Sequence, residues 1–219
     1  METKIAQKSE KISKAVIKRL PRYRRYLSDL QKKDVKKISS GEFSRLLGCT
    51  ASQIRQDLNN FGGFGQQGYG YNVNELHENV SKILGLDKEY KTIIIGAGNM
   101  GQAIANYIYS YREGFVLSGL FDRDKDLIGK DIRGVSIMGM EQISDFIKTE
   151  DVRVAIICTD KDSAQNIVNL VCEAGIEGIW NFAPVDVKVP ENMPLENVHL
   201  SDGLQSLAYF IHRNKLITD

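Results

Sequence analysis

Apolar side chains recur every three or four positions along the first third of the chain, which is the spacing of an amphipathic helix. Residues 12–20 and 23–30 both show this spacing, with lysines and arginines between the apolar positions. Pro21 is expected to begin the second of these helices, because its missing N–H would have no intrahelical partner in a first turn. The pattern therefore predicts two consecutive basic helices.

Two shorter helical patterns follow, separated by a tight break. Serines 39 and 40 precede the first pattern, and Thr50 or Ser52 precedes the second; such side chains cap the free amides of a helix start. The break at 48–50 has the length of the turn in a helix-turn-helix. A three-helix protein–protein module is the alternative. The second helix presents polar side chains suited to reading base edges in a major groove, namely Ser52, Gln53, Arg55, Gln56 and Asn59.

A run rich in glycine and aromatic residues occupies positions 61–71. Glycine permits positive φ angles and disfavours a helix interior, so the run predicts a two-stranded hairpin, or wing, whose tip enters a minor groove. A further helix is predicted at 74–84, and the first domain is expected to end at Gly85. The predicted DNA contacts of the wing are Phe64, Gln66, Gln67 and Tyr69.

After residue 90, continuous apolar runs alternate with helical spacing. Residues 91–96 form an apolar strand that leads directly into a Gly-x-Gly-x-x-Gly turn and a helix. In a dinucleotide-binding unit the first glycine permits the tight turn, the second lets the backbone approach a pyrophosphate, and the third allows close helix packing. The helix N-terminus stabilises the phosphates. The predicted contacts are Gly96, Ala97, Gly98, Asn99, Met100 and Gly101.

The next apolar strand, 115–121, is followed by Asp122. This acid lies about 20 residues beyond the glycine turn, where a carboxylate binds both ribose hydroxyls and repels a 2′-phosphate. NAD is therefore favoured over NADP. Arg123 is included in the predicted cofactor site, although it weakens this preference because it could accept a phosphate.

A strand–helix pattern begins at residue 152, and a further strand at 176–182 is closed by an Ala-Pro pair. Ligands of doubly wound sheets bind outside the carboxyl ends of the strands, so Thr159, Asn181 and Phe182 are candidates to face the nicotinamide. Plain strand-end packing is the alternative for each of them.

We therefore expect an α/β protein with three parts. An N-terminal winged helix-turn-helix domain (1–85) precedes a Rossmann-like doubly wound parallel sheet (86–200) and a C-terminal helix (201–219). That helix is apolar around much of its girth, which predicts wide burial. It is expected to pack on a partner subunit, and the alternative is a core helix of its own domain.

Charge and cysteine content refine this picture. Residues 1–85 hold 16 Lys/Arg against 8 Asp/Glu, whereas the remainder holds 13 against 20. A basic first half is typical of a polyanion-binding surface, although a solvated basic face is the alternative. Three scattered cysteines argue against zinc and for a reducing cytosol. No apolar run approaches the ~20 residues of a membrane span, so a cytoplasmic protein without metal or membrane anchor is expected.

Taken in order, the basic winged helix, the wing run 61–71, the glycine turn and the Asn-Phe-Ala-Pro element at 181–184 resemble the bacterial redox-sensing repressor Rex family. The resemblance covers nearly the whole chain. It implies a repressor, not an enzyme, that binds an AT-rich inverted repeat in double-stranded operator DNA as a homodimer. It also implies that NAD⁺ or NADH is the sensed ligand, and that NADH closes the dimer and releases the DNA.

The resemblance further implies a switch between the two domains. Tyr107 matches a tyrosine near the nicotinamide, and Arg25 matches an arginine that links the domains. The family uses an aspartate after its Glu-Asn-Val element, but here that element (196–198) is followed by His199. Either Asp202 supplies the carboxylate or His199 takes the role with some pH sensitivity; His199 as an ordinary strand-end residue is the third possibility.

Two other function classes fit parts of the sequence. An NAD-dependent dehydrogenase would need an acid–base group and a substrate domain. Because the first third of the chain forms a helix-turn-helix, few residues remain for a substrate domain. A regulator that senses another nucleotide, such as coenzyme A, would share the glycine turn. Asp122 speaks against it, because coenzyme A carries a ribose phosphate.

Overall fold

The structure is a computed structural model that describes residues 12–66, 69–111 and 113–218. The chain divides into two compact units between Lys88 and Glu89, close to the predicted boundary at residue 85. The C-terminal helix belongs to the second unit by this division. Of the helices described, none is long and apolar enough to cross a membrane.

The N-terminal unit is a winged helix-turn-helix, as predicted. Its three short strands form an antiparallel sheet in the order β1-β3-β2, and its core lies where α1, α2, α3 and α4 meet this sheet. The described elements are α1 (Lys14–Lys32), β1 (Lys37–Ile38), α2 (Ser40–Leu47), α3 (Ala51–Asn59), β2 (Gly65–Gln66), β3 (Gly70–Asn72) and α4 (Val73–Ile83).

The expectation that Pro21 begins a new helix is wrong. α1 is one helix of 19 residues with Pro21 inside it. A proline in a helix interior removes one hydrogen bond and costs about 3 kcal/mol, but Pro21 lies on the exposed face, where water can reach the freed carbonyl. The buried stripe continues across the proline through Val16, Leu20, Tyr23 and Leu27, so packing keeps the helix continuous.

The C-terminal unit is a doubly wound α/β fold, as predicted. Its sheet has the order β10-β9-β8-β4-β5-β7-β6, and all neighbouring strands are parallel except β6 and β7. The elements are β4 (Tyr90–Ile95), α5 (Asn99–Tyr111), β5 (Phe115–Asp122), β6 (Asp131–Ile132), β7 (Val135–Gly139), a 3₁₀ turn (Met140–Gln142), α6 (Ile143–Glu150), β8 (Val154–Ile157), α7 (Lys161–Ala174), β9 (Gly178–Asn181), β10 (Leu195–Asn197) and α8 (Leu200–Thr218).

Alternation along β4 supplies a core on each face of this sheet. Ile93 and Ile95 pack with side chains of α6 and α7, whereas Ile94 packs with α5 on the opposite face. The strand order reverses between β4 and β8, because the chain runs outward through β5 and β7 and then returns. In such sheets the crevice outside the strand ends at this switch point is the ligand-binding position.

α8 presents an apolar stripe that no described part of its own unit covers. Every side chain from 200 to 214 is exposed, including Leu204 at 69%. The alternative that α8 is a core helix of its own domain is therefore wrong. A stripe of this kind predicts coverage by another protein surface.

Candidate functional site

α2 and α3 form the helix-turn-helix through a three-residue turn. Gly48 ends α2 in the left-handed conformation, with φ of +60°. Thr50 then begins α3, because its hydroxyl accepts the backbone N–H of Gln53 at 3.1 Å. This observation decides the N-cap of α3 in favour of Thr50 over Ser52. At the start of α2, Ser39 and Glu42 form a reciprocal capping box.

The outer face of α3 carries the predicted base-reading side chains. Ser52, Arg55, Gln56 and Asn59 are exposed, and Gln53 is half-buried. The Arg55 guanidinium donates a hydrogen bond to the Ser40 hydroxyl at 3.0 Å, so it lies beside the first turn of α2. α3 therefore offers donors and acceptors of the kinds that bond base edges, and contact with DNA stays a prediction for each residue.

The inner face of α3 holds a buried carboxylate that sequence reasoning missed. Asp57 is 3% exposed and accepts hydrogen bonds from two nitrogens of Arg19 at 2.6 and 2.7 Å and from the Tyr23 hydroxyl at 2.7 Å. Burial raises the pKa of Asp57, but the bonds from Arg19 and Tyr23 outweigh burial and bring it below its usual value. The signal for this network was an acid at a helix position between buried Ile54 and Leu58.

The wing is an antiparallel hairpin in which Gly65 faces Tyr71 and Gln66 faces Gly70. Gly70 has φ of +74°, and an added Cβ would lie 2.5 Å from the Ile38 carbonyl oxygen, so only glycine lets the wing pack this closely. Tyr69 is 71% exposed, with the Lys37 ammonium 5.4 Å from its ring centroid. Phe64 is half-buried. Gln67 and the side chain of Gln66 lie outside the described residues.

The glycine turn after β4 has the geometry that its spacing predicts. Gly96 has φ of +95°, and a Cβ there would lie 2.5 Å from the Cys158 carbonyl oxygen. A Cβ at Gly101 would lie 1.9 Å from the Gly96 oxygen, whereas one at Gly98 would meet nothing within 4 Å. Gly96 and Gly101 are therefore required for the close packing of the turn. Gly98 leaves open space beside the start of α5, where the first-turn N–H groups have no intrahelical partner.

Asp122 is fastened to this turn. Its two carboxylate oxygens accept the backbone N–H groups of Ala97 at 2.6 Å and Asp124 at 2.9 Å. The Ala97 carbonyl in turn accepts the Gln102 side-chain amide at 2.9 Å, and Ala97 is fully buried. The N–H and carbonyl groups of Ala97 thus both stabilise the turn. The bonds from Ala97 and Asp124 fix the half-buried Asp122 carboxylate at the end of β5. Asn99 is exposed and Met100 half-buried beside the turn.

A cleft of about 230 Å³ lies at the switch point of the sheet. It is formed where β4, β5, β7 and β8 end, and it brings together five predicted cofactor residues: Gly96, Gly98, Asp122, Arg123 and Thr159. It also includes side chains that were not predicted, among them Met140, Cys158, Asp160, Ser163 and Ile167.

Two groups in this cleft have unusual surroundings. The Thr159 hydroxyl is buried and has no hydrogen-bond partner among the described residues. Arg123 pairs with Asp160, with nitrogen and oxygen 3.2 Å apart, and also donates to Ser163 at 3.2 Å. A buried polar group without a partner is costly unless a ligand satisfies it. The turn, the open Gly98 and the Thr159 hydroxyl therefore fit a nucleotide with a pyrophosphate and hydroxyl groups.

The structure places Asn181 and Phe182 outside this cleft lining. Asn181 is fully buried and donates to Val185 and Asn197 at 2.8 Å each, and its carbonyl oxygen accepts the Ala183 N–H at 3.0 Å. Its side chain is therefore committed to the turn after β9, which matches the packing alternative. Phe182 is half-buried and stacks edge-on with Trp180, with centroids 4.6 Å apart.

The predicted switch residues occupy exposed positions. Tyr107 on α5 is 49% exposed and contacts Tyr111, with ring centroids 4.8 Å apart. Arg25 is exposed on α1. The proposed link between these two residues stays a prediction.

His199 has a carboxylate partner that the sequence did not suggest. Its ring Nε2 lies 2.9 Å from an Asp186 oxygen, and the hydrogen bond with Asp186 raises the pKa of His199. Asp202 is exposed in the first turn of α8. The histidine is therefore engaged within its own unit, and the assignment of the switch carboxylate to Asp202 stays a prediction.

Cys49, Cys158 and Cys172 are free thiols, and burial raises the pKa of Cys158 in the cleft to about 12, so it stays protonated at neutral pH. Within the part of the chain that the structure describes, no group of His, Cys, Asp and Glu is arranged to hold a metal ion.

Comparison with known families assigns both halves of the chain. Residues 11–59 match the family model described as "Putative DNA-binding protein N-terminus", and residues 87–185 match the one described as "CoA binding domain". A helix-turn-helix unit joined to a Rossmann-type unit with a cleft at its switch point defines a ligand-responsive transcriptional regulator.

Close relatives extend this class to one family. The Redox-sensing transcriptional repressor Rex of Thermoanaerobacter pseudethanolicus is 57% identical over 95% of this chain and 93% of its own length, and that of Clostridium perfringens is 54% identical over 95% and 98%. The chain therefore belongs to the Rex family of redox-sensing transcriptional repressors, a regulatory family.

Solved structures agree in fold over nearly the whole chain. A crystal structure of RSP in complex with beta-NAD+ and operator DNA has a TM-score of 0.89 and 57% identity, and covers 94% of this chain and 95% of that one. A structure of RSP in complex with beta-NADH has a TM-score of 0.87 and 54% identity, with coverage of 95% and 98%. The predicted winged-helix and Rossmann-like α/β fold is thus confirmed.

Proposed function

We propose that this chain is a cytoplasmic, non-enzymatic repressor that binds operator DNA as a homodimer and responds to the NADH/NAD⁺ ratio. Its membership of the Rex family supports DNA binding and NADH/NAD⁺ sensing, since related structures hold NADH, and NAD⁺ with operator DNA. The observation that carries the proposal is the cleft at the switch point. There Gly98 leaves room for a nucleotide, and the Thr159 hydroxyl, which has no partner among the described residues, can bond to it.

Each unit would contribute a separate part of the response. α3 would lie in the major groove with Arg55, Gln56 and Asn59 towards the bases, and the wing would approach the minor groove through Tyr69. The C-terminal unit would hold the dinucleotide against the glycine turn, with Asp122 on the adenine ribose. The exposed apolar stripe of α8 would pack against a second copy of the chain.

NAD(H) supplies the redox signal through the charge and planarity of its nicotinamide ring. A ligand shifts a conformational equilibrium only if it binds the two states unequally. We infer that NADH favours a closed dimer. In that dimer the spacing of the two α3 helices no longer matches DNA half-sites, which lie one helical turn (about 34 Å) or a multiple of it apart. DNA affinity then falls although every base-reading side chain is unchanged.

A fluorescence-anisotropy titration of an AT-rich inverted repeat tests this proposal. NADH is expected to release the DNA and NAD⁺ to leave it bound. If NADH left DNA affinity unchanged, the sensing function would be wrong.

A second candidate ligand is coenzyme A, because residues 87–185 match a coenzyme A–binding family. Calorimetry of the whole chain with NADH, NAD⁺, NADPH and coenzyme A separates the candidates. We expect NADH and NAD⁺ to bind and coenzyme A not to bind, because Asp122 would face its ribose phosphate.

A further inference from the structure

The Arg123 guanidinium has a defined place in the cleft. Of the described residues that line the cleft, Arg123 alone carries a positive charge. It follows β5 directly and stands next to Asp122, the position from which an arginine accommodates the 2′-phosphate of NADP in Rossmann domains. By chemistry alone this residue would make the cleft tolerant of NADPH.

Asp160 forms an ion pair with that guanidinium. Asp160 follows β8 and caps α7, since its Oδ1 accepts the N–H groups of Asp162 and Ser163 at 3.1 and 2.9 Å. Its other oxygen lies 3.2 Å from Arg123 and accepts the Ser163 hydroxyl at 3.0 Å. Because β4 lies between β5 and β8 in the sheet, the Arg123–Asp160 pair spans the end of β4 beside the glycine turn.

A hydrogen bond from Arg123 to Ser163 supports the ion pair. Arg123 also donates to the Ser163 hydroxyl, so the first turn of α7 holds the guanidinium at two points. An exposed ion pair contributes little to folding, and Arg123 is 76% exposed. Its effect on a ligand is different, because a phosphate entering here would meet Asp122 and Asp160 together with an arginine that already has a carboxylate partner.

We propose that Asp160 is a specificity-determining residue, which excludes a ribose 2′-phosphate by holding Arg123 across the end of β4. This inference rests on the proposed binding of NAD(H) in the cleft. It assigns the exclusion of NADPH to two carboxylates on different strands: Asp122 would face the ribose directly, and Asp160 would withhold the only cation that could compensate within the described lining.

The test is the ratio of NADPH to NADH affinity, measured by fluorescence titration of the full chain. Asp160→Asn removes the charge and keeps a good helix cap, so the ratio is expected to rise about tenfold in favour of NADPH. Asp160→Ser, another capping residue, is expected to do the same. Asp162→Asn removes a neighbouring exposed charge of α7 that is not paired with Arg123, and should leave the ratio near the wild-type value.

The double variant Asp160→Asn with Arg123→Gln separates the release of Arg123 from the loss of the Asp160 charge itself. The gain in NADPH affinity is expected to disappear, because the released guanidinium is gone. The proposal is overturned if both Asp160 variants bind NADH and keep the wild-type ratio within about twofold, or if the gain survives without Arg123. Wild-type protein that binds no NADH at all would instead overturn the proposed function itself.

Discussion

In the N-terminal unit the Asp57 carboxylate is buried and accepts three hydrogen bonds, whereas in the C-terminal unit the Thr159 hydroxyl is buried and has no described partner. Burial of a polar group without a hydrogen bond costs roughly 1–3 kcal/mol. The first arrangement stabilises the fold by orienting α3 against α1. The second is unfavourable for the fold alone, which fits the proposed contact of Thr159 with a ligand.

Removing Asp57 should give the largest effect. Asp57→Ala leaves the Tyr23 hydroxyl buried without its partner, while Arg19, whose side chain is 31% exposed, recovers some hydration. The free energy of unfolding should fall by about 3 kcal/mol.

Two probes locate this loss in the N-terminal unit. Trp180 is the single tryptophan of the chain and lies in the C-terminal unit, so its fluorescence reports that unit alone. Urea unfolding followed by circular dichroism should shift while the Trp180 transition stays in place. Asp29→Ala, at an exposed residue of α1, is the control. A variant as stable as the wild type would show that the Asp57 network does not hold α3.

Filling the open side of the glycine turn should give the next largest effect. A side chain at Gly98 meets no neighbouring atom within 4 Å, so Gly98→Val should fold normally and occupy the space of the pyrophosphate. NADH affinity should fall by about 100-fold or more, with operator binding retained. NADH-dependent release of DNA from this variant in an anisotropy titration would contradict the role of the turn.

The exposed face of α3 should show an intermediate effect. Arg55→Ala is expected to weaken specific operator binding by about 1–3 kcal/mol if Arg55 reads a base. Arg45→Ala removes an equal charge from the exposed face of α2 and serves as the control. NADH affinity, measured by calorimetry, should not change in either variant. Equal losses of operator affinity in both variants would show that Arg55 makes only a general electrostatic contact with DNA.

The Thr159 hydroxyl gives the smallest and most specific test. Thr159→Val replaces the hydroxyl by a methyl group of similar size, so it should raise the free energy of unfolding by about 1 kcal/mol and weaken NADH binding by about tenfold. These opposite signs distinguish a ligand contact from a packing residue. A loss of stability, or unchanged NADH affinity, would contradict the assignment of Thr159 to the ligand.

Local patterns of the sequence were sufficient for much of this protein. The 3.6-residue spacing, the caps at Ser39 and Thr50 and the glycine turn each act over a few residues, where backbone hydrogen bonding and steric limits decide the conformation. The same holds for the wing, because the glycine at position 70 is required by its backbone angle and its contact with Ile38. The stretch 124–151 has no such strong pattern, and its short elements β6, β7 and α6 were not predicted.

Only the tertiary structure decided which side chains meet. Asp57 joins Arg19 across 38 residues, and Asp160 joins Arg123 across the end of β4; no local spacing encodes such contacts. Packing also kept α1 continuous through Pro21 and bonded the buried Asn181 side chain to the turn after β9. The sequence by itself therefore determined the two folds and the position of the nucleotide turn. The tertiary structure decided which polar groups hold the scaffold and which are left for a ligand, because hydrogen-bond satisfaction is a property of the assembled interior.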